Sequence, residues 1–399
     1  MTIASQSRLI GANIEHAGQH NQRVVLHAIR VAGPATRAEI AEVTGLTPAT
    51  ITNITNRLLD NGLLERAGQR RGTRGQPATR LIVNAGGAFA IGVNIDRDHL
   101  TMVAVDFEGR VRARISHEAA FPSPEDVQRF YRGHVDELLR CGGIAASALS
   151  GIGVALPDDL GRIDLPGRPR DYDRWSTYDV ASLFAEPLSL PVIVENDAAA
   201  AAIGEMQFGL GQQYASFFYL LITFGLGGGV VVNSLYDRGA DGRSGEIGFL
   251  TVEDREGRRR PLQEIVSLAG LTRALVEAGV EAHSIHALDM NDARITAVTG
   301  EWVASAAQAL VQPLIAVSCL LNPGAVLIGG RLPVALIEQL GHATSALVQR
   351  DGGHVPVLAP ICTAALAADS PAIGAALLAF GHLLLPADTP AQRRISDAA

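Results

Sequence analysis

The chain has 399 residues, which is too long for one compact core and predicts two or three domains. Its composition, 47% hydrophobic and 19% charged, is that of a protein with an ordinary soluble surface. The N-terminus lacks the basic and apolar segments of a secretory signal, and three distant cysteines exclude a disulfide framework or a cysteine zinc site. The longest apolar run, 310–330, is interrupted by Pro313 and Pro323, so it suits a buried helix and strand rather than a membrane span. We therefore expect a cytoplasmic protein.

The net charge of -8 argues by itself against a nucleic-acid binder, but its distribution does not. Residues 1–85 carry ten arginines and five acidic residues, a net +5, which leaves -13 for the remainder. A small basic head on a large acidic body is expected if only the head meets phosphate. Charge alone leaves open that the arginines merely solvate a surface.

Residues 20–85 contain the pattern of a helix-turn-helix, preceded by a polar arm at 1–19. An apolar stripe predicts a first helix over 21–31. Thr36 and Glu39 have the spacing of a capping box at the start of a short second helix. That helix ends before a glycine, and another helix follows a tight turn. This arrangement presents the N-terminal turn of the last helix to the major groove of DNA.

The last helix of this motif supplies the predicted base contacts. Thr47 caps it, and Pro48 occupies its first turn. Asn53 can pair with an adenine edge, Arg57 can reach guanine or phosphate, and Thr50 suits a phosphate or a thymine methyl group.

Two predicted strands, 63–65 and 80–83, flank a basic loop at 68–77. Such a loop is typical of a wing that tracks phosphates or enters a minor groove. The predicted DNA-binding residues are Thr47, Pro48, Ala49, Thr50, Asn53, Arg57, Arg70, Arg71 and Arg74. The alternative is a helical bundle used for dimerisation, with a loop that is merely solvated.

The segment TRAEIAEVTGLTPATITNITNRLLDNGLLE resembles the winged helix of regulators in the ROK family (repressors, open reading frames and kinases). The wing of that family ends in Gly-Arg-Pro, whereas this chain has Gly75-Gln76-Pro77. The resemblance therefore implies that Arg74 takes the place of the missing arginine.

From residue 86 to 399, predicted strands alternate with helices, which indicates an α/β fold whose two lobes enclose a cleft. Four segments resemble ROK sequences in the order of the family: Glu195–Glu205, Gly239–Gly248, Asn322–Gly330 and Pro371–Ala379. The resemblance implies the two-lobed fold shared by hexokinases and actin, with sugar and ATP in the cleft. It also implies a C-terminal helix near 370–385 that returns to the first lobe.

The phosphate-binding loops of ROK kinases are degenerate in this chain. The loop Asp-x-Gly-Gly-Thr-Lys is replaced at 94–99 by Asn-Ile-Asp-Arg-Asp-His, where the carboxylates of Asp96 and Asp98 would repel a phosphate. In the second loop, Phe224 replaces a hydroxyl residue. The zinc site is missing as well, because Phe249 occupies the position of its histidine and 255–262 holds no cysteine. We therefore expect no kinase activity, no metal and no cofactor.

The sugar-contacting positions are better preserved. By resemblance they are Asn196, Asp197, Glu246, Glu264 and, in a looser alignment, Asp171. Asp197 corresponds to the catalytic base of the kinases and is expected here as a vestige of it. Helix capping and ordinary surface chemistry remain alternatives for these residues.

Together these features predict a transcription regulator, more in keeping with a repressor than an activator, which binds double-stranded operator DNA and a sugar-like effector. One head reads one half-site, so we expect a homodimer or tetramer. An active carbohydrate kinase with a regulatory head is the alternative, and a regulator that responds to a protein partner is a third possibility.

Overall fold

The computed structural model describes residues 14–70, 78–158, 160–162, 168–280, 285 and 288–381, with side chains for all of these except 14–17 and 69–70. The chain forms two compact units, a head that ends at Gly87 and a body that spans Ala88–Ala379. The boundary lies two residues beyond the predicted one.

The head contains three helices and a small sheet. The helices are α1 (Ile14–Ala32), α2 (Arg37–Thr44) and α3 (Pro48–Asp60). The strands are β1 (Ala35–Thr36), β2 (Leu64–Arg70) and β3 (Ala78–Val83), in the antiparallel order β1-β3-β2. This is a winged helix-turn-helix, as predicted. However, α1 begins inside the segment assigned to a polar arm, and the two-residue strand β1 was too short to predict.

The first lobe of the body is built on one mixed sheet of order β6-β5-β4-β7-β8. Its strands are β4 (Phe89–Ile95), β5 (His99–Asp106), β6 (Val111–Glu118), β7 (Leu149–Leu156) and β8 (Val192–Asn196). The first three pair antiparallel, whereas β4, β7 and β8 run parallel. The helix α4 (Pro124–Gly142) packs on β5 and β6, and α5 (Asp197–Phe208) follows β8 directly.

The second lobe repeats this arrangement with the sheet order β11-β10-β9-β14-β15. Its strands are β9 (Phe217–Ile222), β10 (Leu226–Val232), β11 (Leu235–Asp237), β14 (Ala325–Gly330) and β15 (Ile361–Thr363). The helices are α6 (Leu268–Glu277), α7 (Ala293–Leu321) and α8 (Val334–Asp351). A separate hairpin consists of β12 (Thr251–Glu253) and β13 (Arg259–Pro261).

The last helix, α9 (Ser370–Ala379), packs against β4 and β7 of the first lobe and against α5. Every residue of α9 is buried. The packing is so close that a Cβ atom on Gly153 would lie 1.8 Å from the carbonyl oxygen of Ala375. Small residues are therefore required where α9 packs on the sheet of the first lobe.

The apolar run near 310–330 is a helix end followed by a strand, as predicted. Among the described residues, α7 alone is long and apolar enough to cross a membrane by length and composition, yet 56% of its most apolar window is buried. Trp302 and Leu310 of this helix lie in the core of the second lobe, together with residues of β9, β14 and α8. This burial is typical of a core helix.

Candidate functional site

The start of helix α3 is fixed by its own side chains. The hydroxyl of Thr47 accepts a hydrogen bond from the Thr50 amide at 3.3 Å, and Pro48 occupies the first turn. Before it, α2 ends at Gly45, whose φ of 69° suits glycine in the left-handed region. The capping box of α2 is also present, since Thr36 and Glu39 exchange side-chain hydrogen bonds. The predicted helix-turn-helix geometry is therefore confirmed at each of its caps.

The predicted DNA contacts of α3 lie on its outer face. Ile51, Ile54 and Leu58 point into the core of the head, with exposed fractions of 8% or less. The residues on the opposite side are exposed, except for the half-buried Thr50; they are Thr47, Pro48, Ala49, Asn53 and Arg57. A polar helix face of this kind can enter a major groove without disturbing the core.

Two arginine contacts in the head were not predicted. Arg37, at the start of α2, donates from Nε to Thr55 Oγ1 and from Nη2 to Asn56 Oδ1, both at 2.8 Å. These bonds fix the angle between α2 and α3. Arg57 donates to the side chain of Gln22 on α1, so it must exchange this partner to reach DNA. No sequence pattern identifies such partners, because they lie 18 to 35 residues apart.

The wing is described only in part. The strands β2 and β3 pair antiparallel with an irregularity between Arg66 and Gln69, which confirms the hairpin. Arg70 ends β2, and its side chain is not among those described. Arg71 and Arg74 lie outside the described residues. Their predicted phosphate contacts stay predictions.

In the body, the two lobes enclose a cleft. It lies at the ends of β7 and β8 in the first lobe and beside the β9–β10 turn in the second. The lining residues are Arg97, Pro157, Asp158, Asn196, Asp197, Thr223, Gly225, Leu226, Gly227, Arg243, Glu246, Phe249 and Gln263. Most of the side chains are polar, as a polyol ligand requires.

Asn196 and Asp197 stand where β8 ends and α5 begins. Asn196 is the N-cap, and its Oδ1 accepts from the Ala199 amide at 3.0 Å. Asp197 Oδ1 accepts from the Ala198 amide at 2.8 Å. Burial, and secondarily the nearby Asp96 carboxylate, raise the pKa of the Asp197 carboxyl to about 7. Asn196 therefore caps the helix and Asp197 bonds to the following amide, while their place on the cleft wall also leaves both available to a ligand.

Arginines of the second lobe meet carboxylates of the first around this cleft. Arg238 forms an ion pair with the buried Glu195. Arg243 Nε lies 3.7 Å from a carboxylate oxygen of Asp158 and 3.8 Å from one of Glu246. These contacts tie the loop before Glu246 to the carboxyl ends of β7 and β8. Sequence comparison identified Glu246 but missed both arginines and Asp158.

Two predicted ligand residues do not line the cleft. Glu264 is exposed on a short 3₁₀ turn, and the preceding residue, Gln263, faces the cleft instead. Asp171 is exposed on another 3₁₀ segment, whose buried residues are Tyr172 and Trp175. The predictions for Glu264 and Asp171 are therefore not supported by their positions. Asn196, Asp197 and Glu246 are brought together as expected.

The two degenerate phosphate loops lie close to each other. If Gly225 carried a Cβ atom, that atom would lie 3.7 Å from Arg97 Nη1, so the first loop approaches the second. Phe224 of the second loop packs edge-to-face on Phe121, with ring centroids 5.7 Å apart. The first loop thus carries the carboxylates of Asp96 and Asp98 and the second carries Phe224 in place of a hydroxyl residue, so the residues present do not fit the triphosphate of ATP.

The residues at the zinc position of the ROK family do not fit a metal either. Phe249 is half exposed on the cleft wall and offers no ligand atom. In the neighbouring β12–β13 hairpin, Arg258 and Arg260 each place Nε 2.9 Å from Asp254 Oδ2. These ion pairs close the turn between the two strands of the hairpin and join it to β13. An ionic hairpin replaces the cysteine-rich segment.

Comparison with known sequences supports these assignments. The ROK family matches residues 90–381, and the MarR family matches residues 19–75. A Sinorhizobium fredii protein of uncharacterised function is 29% identical over 364 residues, 90% of each chain. The xylose repressor of Bacillus spizizenii is 29% identical over 58% of this chain and 60% of its own. The transcriptional dual regulator NagC of Escherichia coli is 26% identical over 63% and 62%. The chain thus spans about 60% of the two named regulators.

Solved structures share the fold. The crystal structure of a ROK family transcriptional regulator, a homologue of the E. coli MLC protein, aligns with a TM-score of 0.68 at 21% identity. The alignment covers 93% of this chain and 98% of that one. A ROK family glucokinase from Streptomyces griseus, solved with glucose and AMPPNP, aligns with a TM-score of 0.56 at 22% identity over 73% of this chain and 99% of its own. The regulator matches the head as well as the body, whereas the kinase matches a shorter part.

Proposed function

Because the chain belongs to the ROK family, we propose that it is a DNA-binding transcription repressor whose body binds a sugar or a sugar derivative. The observation that carries this proposal is the exposed, doubly capped helix α3 in a head with the MarR-type winged-helix pattern. The relatives described as a xylose repressor and as NagC support it.

The body serves as a sensor in this proposal. Asn196, Asp197 and Glu246 offer acceptors for the hydroxyl groups of a sugar. The ligand changes the equilibrium between lobe arrangements, and the operator affinity of the head changes with it. A coupling free energy of about 1–3 kcal/mol, or roughly 5–150-fold in affinity, is sufficient.

The protein acts in the cytoplasm as a homodimer or tetramer. One helix α3 reads one half-site, so two-fold pairing of chains matches a palindromic operator. The wing arginines Arg70, Arg71 and Arg74 contribute phosphate contacts that carry no sequence information. Light scattering on the DNA complex measures the stoichiometry, and one chain per operator would overturn this part.

Fluorescence anisotropy on labelled DNA from the upstream region of the gene tests the proposal. We expect tight binding that weakens steeply with salt, and one sugar of a panel should weaken it further. Asn53→Ala should reduce affinity for this DNA, whereas Glu42→Ala, an exposed residue of α2, serves as the matched control. Binding no tighter than to competitor DNA would contradict the proposal.

A carbohydrate kinase with a regulatory head is the rival function. The carboxylate of Asp197 on the cleft wall favours it, since a buried acid with a pKa of about 7 can act as a general base. Coupled ADP release over the same sugar panel tests it directly. Turnover with any sugar that is abolished by Asp197→Asn would establish the kinase.

A further inference from the structure

Arg97 is a buried guanidinium on the cleft wall without a hydrogen-bonded acceptor for its Nε among the described residues. Its side chain is only 7% exposed. Its Nη1 lies 3.6 Å from Asp96 Oδ1, which is beyond hydrogen-bond distance although the charges attract. Buried donors that lack an acceptor are costly, so such a group indicates a partner that arrives from outside the chain.

Hydrogen-bonding side chains surround Arg97, and the Asp197 carboxyl lines the same cleft. Thr223, which is 4% exposed, and Gln263 line the same part of the cleft. A Cβ atom on Gly225 would lie 3.7 Å from both Arg97 Nη1 and Gln263 Oε1. The glycine thus leaves a space, bounded by the Arg97 guanidinium, the Thr223 hydroxyl and the amide oxygen of Gln263, that a small group able to accept a hydrogen bond from Arg97 can enter.

The other end of the cleft is lined mainly by carboxylate and amide groups, with Arg243 beside Asp158 and Glu246. A recess there shares Asn196, Asp158 and Glu246 with the cleft but does not include Arg97, Thr223 or Gln263. Carboxylate and amide oxygens at this end suit the hydroxyl groups of a sugar. A ligand that spans both ends would place its hydroxyl groups at the recess and an acceptor-rich group at Arg97.

We propose that the effector carries an acidic substituent, a carboxylate or a phosphate, and that Arg97 binds this substituent. The proposal rests on the proposed function, since it specifies the chemistry of the effector. A guanidinium holds a carboxylate or a phosphate through two parallel hydrogen bonds, which a single hydroxyl cannot form. The ion pair with Asp96 holds the Arg97 side chain in place, and the bound anion completes its hydrogen bonds.

Calorimetry on the full chain without DNA tests this proposal. The probes are hexuronates, hexose 6-phosphates, their neutral parent sugars and inorganic phosphate, so that the two sources of acidity are compared directly. We expect one acidic sugar to bind about 10- to 100-fold more tightly than its neutral parent. Arg97→Gln should remove this preference and leave the affinity for the parent sugar nearly unchanged. Arg350→Gln, which removes an exposed arginine paired with Asp351, is the control.

Arg97→Gln leaves the buried Asp96 carboxylate without its arginine partner and so could prevent folding. Two further variants keep the test valid in that case. Arg97→Lys keeps the charge but lacks the two-pronged geometry, so it should lose part of the preference. Gly225→Ala keeps Arg97 and fills the space beside it, so it should weaken the acidic sugar more than the neutral one.

Equal affinity for an acidic sugar and its parent, or a preference unchanged in all three variants, would overturn the proposal and leave the sugar-responsive repressor intact. Inorganic phosphate that binds as tightly as a sugar phosphate would also overturn it, since the site would then read a free anion only. Absence of any sugar binding in a chain that still binds its operator would overturn both this proposal and the sugar-sensing part of the function.

Discussion

Arg331 Nη1 donates a hydrogen bond to Asp98 Oδ2 across 2.7 Å, and this contact joins the second lobe to the first. Nη2 of the same arginine donates to Glu118 Oε1 at 2.6 Å. The Asp98 carboxylate also contacts His99 Nδ1 at 2.7 Å. The degenerate phosphate loop at 94–99 thus links the two lobes through the ion pair of Asp98 with Arg331.

Arg331→Met should therefore destabilise the body. The change leaves the largely buried Asp98 carboxylate without its arginine partner. The second partner, Glu118, is half exposed, so we expect a total loss of about 3 kcal/mol or somewhat less in the free energy of unfolding. Urea unfolding of the variant and the wild type measures this loss. Arg350→Met, which removes an exposed ion pair, should cost at most about 1 kcal/mol. Equal losses in the two variants would show that the lobes do not depend on Arg331.

Gly153→Ala should destabilise the body because the sheet and α9 leave no room for a methyl group. The new Cβ atom would meet the backbone oxygen of Ala375 at 1.8 Å, so the helix must shift. We expect a loss of about 1–3 kcal/mol or more. Gly133→Ala on α4, where no atom lies within 4 Å, should instead stabilise by about 0.5–1 kcal/mol. Thermal melting of both variants measures these changes in stability. A Gly153→Ala variant as stable as the wild type would contradict the described packing.

The stability of the body should depend on pH through Asp197. Its pKa is raised to about 7 in the folded chain, mainly by burial, whereas an unfolded aspartate titrates near 4. The neutral form is therefore favoured by folding, and this contribution is present below about pH 4 and lost as the pH rises through about 7. The free energy of unfolding of Asp197→Asn should therefore rise relative to that of the wild type, by a few kcal/mol, as the pH increases from about 4 to about 7.

Denaturation of both proteins at pH 4, 6 and 8 measures this difference, and Asp171→Asn at an exposed site is the control. A gap between Asp197→Asn and the wild type that is constant over this range would mean that Asp197 titrates normally.

Asn53→Ala should weaken operator binding by about 1–3 kcal/mol, roughly 5–150-fold, because a base contact is lost. The side chain is exposed on α3, so the stability of the head should not change. Anisotropy with the operator and with a scrambled duplex separates specific from general affinity. If Asn53→Ala weakens both duplexes equally, Asn53 does not read a base.

The elements of the head could be predicted because their signals are local. The capping pair Thr36 and Glu39 and the turn at Gly45 are separated by a few residues and act within one helix or at its end. The cleft position of Asn196 and Asp197 was predicted from a sequence resemblance. This was possible because the two residues are adjacent, at the point where β8 ends and α5 begins.

The rest of the site depends on contacts between distant parts of the chain. Arg331 and Asp98 are 233 residues apart, and the approach of Arg97 to Gly225 depends on how two lobes meet. The choice between Gln263 and Glu264 depends on the direction of a single 3₁₀ turn. Such relationships are set by tertiary packing, which no local pattern specifies.

The effect of a cleft substitution on the response of the head tests the central claim most directly. The measurement is operator affinity by anisotropy, with and without the effector, for the wild type and for Glu246→Gln. The account predicts that the effector weakens wild-type binding about 5- to 150-fold, whereas Glu246→Gln binds DNA normally but does not respond. A variant that responds like the wild type would contradict the assignment of the cleft as the sensor.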